Sequence, residues 1–262
     1  MKSCLFLLLL LFPAALFGKD LKTIERELVR DARRISYWAN HNDTAASVSG
    51  IDSLARANER FTARLLRYTA TEPATLSYAF TALQQEHVTI TTAPDGRLRL
   101  YSWDTEEGGT MHYFENVVQY RAATKVASRR LIIPKPDDNP DAGHLYFAIF
   151  PVQRGAQTYY LACGQGIYSS SDCYQHVKAL TIENGQLNPD AQLIRTSSGL
   201  KNTLGFAYDF FSVVDRPERP VRLITYDAKT RVLEIPVVWA GGKVTPKRIR
   251  YQFNGTVFEK VK

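Results

Sequence analysis

The stretch RLRLYSWDTEEGGTMHYF, residues 97–114, marks the point where the hydrophobic pattern of this chain changes from helix to strand. Leu98 and Leu100 point to one face of the strand that this stretch predicts. Tyr101 and Trp103 point to the other face, because successive side chains of a strand alternate. A strand with apolar side chains on both faces is covered on both sides. We therefore expect this strand to be central in its sheet or to lie beneath helices.

The loop after this strand carries the first candidate functional residues. DTEEGG (104–109) predicts a hairpin turn whose two glycines are free to take positive φ, and MHYFENVVQY (111–120) predicts the returning strand. The functional interpretation makes Asp104, Glu106, Glu107 and His112 a catalytic or cation-binding cluster. The pattern favours a turn with solvated acids. The acids do not keep the alternation typical of a Ca²⁺ loop, so no metal site is predicted.

Tyr101 and Trp103 are the candidate binding residues of the strand itself. Their rings would suit a platform for a sugar. The favoured interpretation places both in the core, because buried aromatic side chains dominate β cores.

Residues 19–86 predict a helical region. Between 20 and 69, apolar residues recur at three- and four-residue spacing in two stripes, which the polar segment NHNDTAASVSG (40–50) separates. Two stripes joined by a short link predict an antiparallel helical hairpin. A third, shorter helix is predicted over 73–86, with Pro73 in its first turn.

Residues 87–262 have a hydrophobic period of two, and turn residues separate the apolar runs. The clearest turn signals are APDG (93–96) and the Asn254–Gly255 pair. About ten short strands with no helical pattern between them predict an antiparallel β region. The fold class is therefore α+β: a helical hairpin of two to three helices, then a mainly antiparallel β-sheet body built as a sandwich, a barrel or an open propeller-like meander. We expect helices and β region to pack as one unit.

Composition and charge describe a globular protein with a cationic surface. The chain has 262 residues, of which 45% are hydrophobic and 23% charged, and its net charge is +7. The basic residues are scattered along the sequence, and no run is dense enough for a polybasic arm. We therefore expect no nucleic acid as partner. The favoured interpretation is a solvated, modestly cationic surface with no identified partner; an anionic cell-surface polymer or a protein is the alternative.

The first eighteen residues, MKSCLFLLLLLFPAALFG, are typical of a secretory signal peptide. Lys2 supplies the positive start, an apolar run follows, and cleavage is predicted after Gly18. The run is too short to span a bilayer, and no later segment is long and apolar enough. Cys4 precedes the apolar run, so it is not the lipid-modified cysteine of a lipoprotein. These features predict an exported protein, periplasmic or extracellular.

Cys163 and Cys173 remain after removal of this segment, and an even pair in an exported chain predicts a disulfide. Two free thiols, or two metal ligands, are the alternatives. The disulfide would staple the segment CGQGIYSSSDC (163–173). Gln165 and Tyr168 are its candidate binding residues, because a rigid loop with such side chains suits recognition of a partner.

The segment PDGRLRLYSWDTEEGGTMHYFENVVQY (94–120) resembles one found in uncharacterised secreted bacterial proteins. The shared features are the Asp-Gly turn, the Tyr-Ser-Trp-Asp-Thr strand end and the Gly-Gly-Thr-Met return. The resemblance covers about a tenth of the chain. It implies export and a β-rich body, and it implies no activity.

Motifs of known chemistry are missing from the sequence. There is no nucleophile elbow, no zinc-peptidase motif and no phosphate loop, and no cofactor is predicted. This favours a non-catalytic binding or structural role in the periplasm or at the cell surface. Two alternatives stay open: an exported hydrolase of polysaccharide or peptidoglycan that uses paired carboxylates, and a secreted enzyme inhibitor that uses the stapled loop.

Overall fold

The structure is a computed structural model, and it describes residues 20–41, 48–131 and 142–261. The predicted signal peptide, with Cys4 and the cleavage site after Gly18, lies outside these residues. Within them, no helix combines the length and the apolar character needed to cross a bilayer.

Two long helices open the described chain, α1 (Leu21–His41) and α2 (Val48–Thr71). Each buries a single apolar stripe, which includes Leu28 on α1 and Phe61 and Leu65 on α2. The predicted helical hairpin is confirmed.

The third predicted helix, over 73–86, is wrong. A 3₁₀ turn covers Pro73–Leu76, and a separate short helix α3 covers Thr81–Gln85. Phe80, between them, has φ +49°, which the right-handed helix does not allow. Its fully buried ring packs against Tyr101 and Tyr78, so core packing overrides the local helical pattern.

The strands occupy most of the remaining described chain. In chain order they are β1 (Thr89–Thr92), β2 (Leu98–Asp104), β3 (Phe114–Ala122), β4 (Lys125–Arg130), β5 (Leu145–Arg154), β6 (Gln157–Ile167), β7 (Asp172–Glu183), β8 (Gln186–Asn188), β9 (Ile194–Thr196), β10 (Gly199–Lys201), β11 (Thr203–Asp209), β12 (Thr225–Asp227), β13 (Val232–Val238), β14 (Val244–Phe253) and β15 (Phe258–Lys260). Short 3₁₀ turns cover Phe210–Val213 and Ala240–Gly242.

These strands form three sheets. The first has the order β1-β2-β3-β4, the second β11-β7-β6-β5 with β8 beside β7, and the third β10-β9-β15-β14-β13-β12. Described neighbours are antiparallel except β15 and β9, which are parallel. The predicted α+β class with a mainly antiparallel body is confirmed. Gly96 and Gly255 take positive φ in the two turns that the sequence marks most clearly.

The layers follow from the apolar clusters. Helices α1 and α2 pack on one face of the first sheet, through Tyr101 and Trp103. The other face of that sheet packs on the second sheet, through Leu98 and Leu100. The opposite face of the second sheet packs on the third, where Val177 meets residues such as Phe258. The result is a stack of helices and three sheets.

Strand β2 therefore has the position that its alternation predicts. It pairs with β1 on one side and β3 on the other, and its residues from Leu98 to Trp103 are buried. The loop that leaves it, residues 105–113, emerges at the edge of this stack.

Candidate functional site

Two segments that the sequence singles out meet in space. The backbone amide of His112, in the loop between β2 and β3, donates a hydrogen bond to the carbonyl of Ile167 at 3.0 Å. Ile167 ends β6, so this bond connects the first sheet to the turn after β6. The loop at 105–113 and the turn at 168–172 therefore form one site.

Hydrogen bonds at its base fix the loop at 105–113. The amide of Thr105 donates to the carbonyl of Tyr113 at 2.8 Å and closes the hairpin. The side chain of Asn58, on α2, donates to the carbonyl of Thr105 at 2.8 Å and accepts from Trp103 Nε1 at 3.2 Å. The helix thus holds both the loop and the strand that leads into it.

The two glycines of the loop do not play the predicted part. Positive φ falls on Glu106, at +58°, and not on Gly108 or Gly109. A Cβ on Gly108 would lie 1.9 Å from the carbonyl oxygen of Met111, whereas a Cβ on Gly109 would meet nothing within 4 Å. Glycine is needed at 108 because two backbone segments approach closely there.

Asp104 and His112 come together, as one part of the catalytic hypothesis requires. Asp104 Oδ2 and His112 Nδ1 share a short hydrogen bond. A neutral ring that donates from Nδ1 keeps Nε2 as an acceptor. Asp104 Oδ1 accepts from the Glu106 amide at 2.9 Å, so both carboxylate oxygens are engaged. The His112 side chain is 40% exposed, and Asp104 fixes its orientation.

Glu107, another candidate of the cluster, does not join them. The residue as a whole is exposed, and no described contact joins its carboxylate to Asp104 or His112. Partial burial of the carboxyl raises its pKa, a hydrogen bond with Thr105 opposes that shift, and the charge of Glu115 adds to it. Of the predicted cluster, only Asp104 and His112 are joined by a hydrogen bond. Glu106 is the acid whose charge interacts with that pair. Partial burial first, and then the Asp104 charge, raise the pKa of its carboxyl.

The turn at 168–172 is held by hydrogen bonds. The amide of Tyr168 donates to the carbonyl of Asp172 at 2.8 Å. The Ser169 hydroxyl accepts from the amides of Ser171 and Asp172 at 3.2 and 2.9 Å. These bonds fix Ser169 as a turn residue and leave the exposed Ser170 beside it at the rim.

A cleft of about 670 Å³, which we call the His112 cleft, lies between the loop and the turn. Its apolar walls are Leu145, Ile167, Phe210 and Pro220, and its polar groups are Thr110, His112, Gln165, Ser169, Ser170 and Arg219, with Cys173 at its base. Gln165 Oε1 accepts from Gln175 Nε2 at 3.4 Å, so the Gln165 amide nitrogen remains as a donor. Apolar walls with a few oriented polar groups are typical of a small-molecule site.

Arg219 fixes the wall of this cleft. Its guanidinium donates to the carbonyls of Val214 and Glu218 at 2.9 and 2.8 Å and lies 5.3 Å from the centre of the Phe210 ring. Hydrogen bonds to neutral carbonyls fix the orientation of the guanidinium but leave its charge in place, so Arg219 presents a cation at this wall of the cleft.

The predicted disulfide is wrong, because Cys163 and Cys173 are both free and buried. They lie on neighbouring strands, but Cys163 is opposite Val177 and Cys173 is opposite Ile167. Four residues of offset along a strand correspond to about 13 Å, and cysteines whose Cα atoms are more than about 7 Å apart cannot be bridged. Burial raises the pKa of both thiols, to about 12 for Cys163. The stapled inhibitor loop therefore has no staple.

The structure removes Tyr101 and Trp103 from the binding candidates. Their exposed fractions are 0% and 3%. The Tyr101 hydroxyl donates to Gln119 Oε1 at 3.0 Å, and burial raises its pKa to about 12. Both rings are core.

Tyr168 lies beside a second depression, on the other side of the turn. This depression, of about 650 Å³, is lined by Asp172, Asp209 and Trp239 among others. Trp239 is 57% exposed. The sequence analysis did not select it, because it lies in an apolar run that resembles the other predicted strands.

A cluster of buried aromatic and imidazole rings lies on the second sheet. His176 is 2% exposed and lies 4.3 Å, centre to centre, from His144, with Tyr146 and Tyr174 against it. The rings fit because Gly164 is opposite His176 on the next strand. Burial first, and then the charges of His144 and Lys178, place the pKa of His176 well below its usual 6.5.

Several site residues were missed by the sequence analysis. Phe210, Arg219 and Pro220 come from a turn-rich segment far along the chain from His112, and no spacing connects them. The pairing of Asp104 with His112 did have a signal, since Asp104 is opposite Phe114 in the hairpin and the loop returns past His112 to reach it.

No family model, no curated protein and no solved structure matches this chain. The resemblance of residues 94–120 to secreted bacterial proteins stays a prediction. Only the geometry of the described residues therefore bears on function. Among the described residues, no three His, Cys, Asp or Glu side chains are arranged to hold a metal ion.

Proposed function

We propose that this chain is an exported, non-catalytic binding protein whose ligand lies in the His112 cleft. One observation carries the proposal: a loop of the first sheet and a turn of the second join through His112 and Ile167 around a cleft of about 670 Å³. That volume lies within the ~300–1,000 Å³ of small-molecule sites. Both segments are fixed by internal hydrogen bonds, so the cleft is formed before a ligand arrives.

The polar groups of the cleft suit a ligand with hydroxyl and amide groups. When its ring is neutral and Nδ1 donates to Asp104, His112 offers Nε2 as an acceptor, and the Gln165 amide nitrogen is available as a donor. A ring with an apolar face would cover the side chains of Ile167 and Phe210. An N-acetylated amino sugar combines these features, and such sugars occur in the bacterial cell envelope to which export would deliver the protein.

Export is supported by the amino-terminal eighteen residues alone. Because Cys163 and Cys173 are free, no disulfide supports an oxidising compartment. Cell fractionation with mass spectrometry of the recovered protein tests it: we expect a chain that begins near Lys19 outside the cytoplasm. An intact amino terminus in the cytoplasm would contradict it.

Binding can be tested by ligand-observed NMR with the disaccharide of N-acetylglucosamine. Ser170→Trp should block the mouth of the cleft, because Ser170 is exposed at its rim. Ser197→Trp is the matched control, since Ser197 is also exposed and lies outside the cleft. We expect the saturation-transfer signal to persist in the control and to vanish in Ser170→Trp. Equal signals in both variants would contradict binding in this cleft.

A second candidate function, an exported hydrolase, is favoured by the Asp104–His112 bond. A carboxylate that orients an imidazole at a cleft is the arrangement of a general base. The paired-carboxylate form of this hypothesis loses support, because both carboxylate oxygens of Asp104 are engaged. Asp104→Asn distinguishes the two functions. A hydrolase would lose turnover of an N-acetylated polysaccharide, whereas a binding protein shows no turnover with Asp104 or with Asn.

A further inference from the structure

Arginine side chains converge on the outer face of the helical hairpin. Two adjoining depressions, of about 210 and 330 Å³, run along α2 and share Arg60. The first also contains Arg34 and Arg56, and the second contains Arg64 and Arg67. We call the two together the arginine groove.

The groove carries uncompensated positive charge. Arg64 is neutralised by Asp31 at 2.8 Å. Arg34, Arg56 and Arg60 are exposed, and the described residues supply none of them with an ion-pair partner. Among the residues that the structure describes, no acid lines either depression.

The described acids near the groove lie outside its lining, including Asp52, which is exposed one turn before Arg56 on α2. Glu59 pairs with Arg130, and Glu25 accepts from Tyr78 and from the amide of Ala82. The local excess of positive charge is therefore built into the hairpin. The sequence analysis overlooked it, because basic residues four positions apart look scattered in the sequence and stack on one face only in a helix.

We propose that the arginine groove binds a linear, phosphate-bearing polymer of the cell surface. From Arg56 to Arg67 the helix rises about 16 Å, so the cations form a row and not a point. Arginine pairs with phosphate through two parallel hydrogen bonds. The cell-surface source of the polymer rests on the proposed export, whereas the groove itself shares no residue with the loop and turn of the His112 cleft.

The shape of the groove favours a polymer over a flat membrane. Its floor contains the small residues Ala57 and Ala63 between arginine walls, which admits a chain. A membrane-binding helix face would present bulky apolar side chains between its cations. The groove holds one bulky ring, that of the partly buried Trp38. On α2, Phe61 and Leu65 are buried against the first sheet, and the exposed Ile51 lines neither depression.

Fluorescence anisotropy with labelled polyphosphate, over a series of salt concentrations, tests the proposal. The variant R56Q/R60Q removes two charges from the groove. R121Q/R129Q removes two charges from exposed positions of the first sheet that line neither depression. We expect R56Q/R60Q to lower the slope of log affinity against log salt by about 1.4, at ~0.7 for each lost phosphate contact of a single strand. The control should keep the wild-type slope.

Further measurements distinguish a phosphate-bearing polymer from a membrane surface and from other anionic polymers. Equal losses in both double variants would show that net charge alone is measured and would overturn the site. Binding to phosphatidylglycerol vesicles without binding to polyphosphate would overturn the polymer in favour of a membrane. Polyglutamate bound as tightly as polyphosphate would contradict phosphate recognition. R56K/R60K keeps the charge and should keep the salt slope, which guards against a loss caused by misfolding.

Discussion

The adjacent glycines of the 104–109 loop make a matched pair of positions with opposite expected outcomes. At Gly108, an added Cβ would lie 1.9 Å from the Met111 carbonyl oxygen, 3.0 Å from the Tyr113 ring and 3.1 Å from the Met111 carbonyl carbon. The closest obstacle is backbone, so no rotamer change relieves it. At Gly109 the same methyl group would meet nothing within 4 Å. Gly108→Ala must therefore displace the loop, and Gly109→Ala leaves it in place.

The magnitude follows from the cost of overpacking, which is about 1–3 kcal/mol. For a chain of this length each kcal/mol corresponds to roughly 2–4 °C in melting temperature, so Gly108→Ala should melt about 2–12 °C below the wild type. Gly109→Ala should melt within about 1–2 °C of it, because surface substitutions away from special features cost at most ~0.5 kcal/mol.

The assay combines melting with a view of the loop. Circular dichroism gives the melting temperatures. The imidazole ¹⁵N spectrum of His112, assigned with His112→Gln, shows whether Nδ1 still carries the proton that the bond to Asp104 requires. We expect Gly108→Ala to alter this signal and Gly109→Ala to preserve it. The same melting temperature and the same His112 signal in both variants would refute the close approach at Gly108.

Three further predictions concern the second sheet. Burial lowers the pKa of His176 in the fold, so as the pH falls the unfolded chain binds this proton before the folded chain does. The free energy of unfolding should therefore decrease below about pH 6.5, by at most ~1.4 kcal/mol per pH unit. Urea unfolding between pH 7 and 5 should show a weaker pH dependence for His176→Phe than for the wild type, and the same pH dependence in both would contradict this. Gly164→Ala brings a Cβ to 2.6 Å from His176 Cε1 and should destabilise the fold by about 1–3 kcal/mol. The same substitution in a His176→Ala background should cost less, because the ring that it meets is gone. Additive free-energy changes for the two substitutions would contradict the contact. Reductant should leave the melting temperature unchanged, because Cys163 and Cys173 are free. Titration of thiols in denaturant should detect both cysteines. A mass increase of two hydrogen atoms on reduction would show a disulfide and contradict the prediction.

Alternation along one strand was enough to predict the central layer of this fold. Leu98 and Leu100 face the second sheet and Tyr101 and Trp103 face the helices, because side-chain direction in a strand depends only on position. Burial on both sides follows from that, and it needs no knowledge of the partners.

Features that depend on register or on distant segments could not be predicted in this way. The spacing of Cys163 and Cys173 allows a bridge in a tight loop, but the pairing of β6 with β7 sets them four positions out of line. The walls of the His112 cleft include Phe210, which follows the residue of β11 that lies opposite Asp172 and whose amide donates to the carbonyl of Ser171. Nothing in the local sequence of Phe210 records that pairing of β11 with β7.

Asn58 is the physical connection between the two proposed binding surfaces. On one side of α2 it holds Thr105 and Trp103 at 2.8 and 3.2 Å, and two residues away on either side are Arg56 and Arg60 of the arginine groove. Asn58→Ala leaves a buried carbonyl and a buried indole N–H without partners, at about 1–3 kcal/mol for each. If α2 holds the 105–113 loop through this residue, the variant should weaken sugar binding in the His112 cleft and leave the polyphosphate salt slope unchanged. A loss of both would mean that the whole hairpin had shifted, and a loss of neither would mean that the loop is held by its own hydrogen bonds.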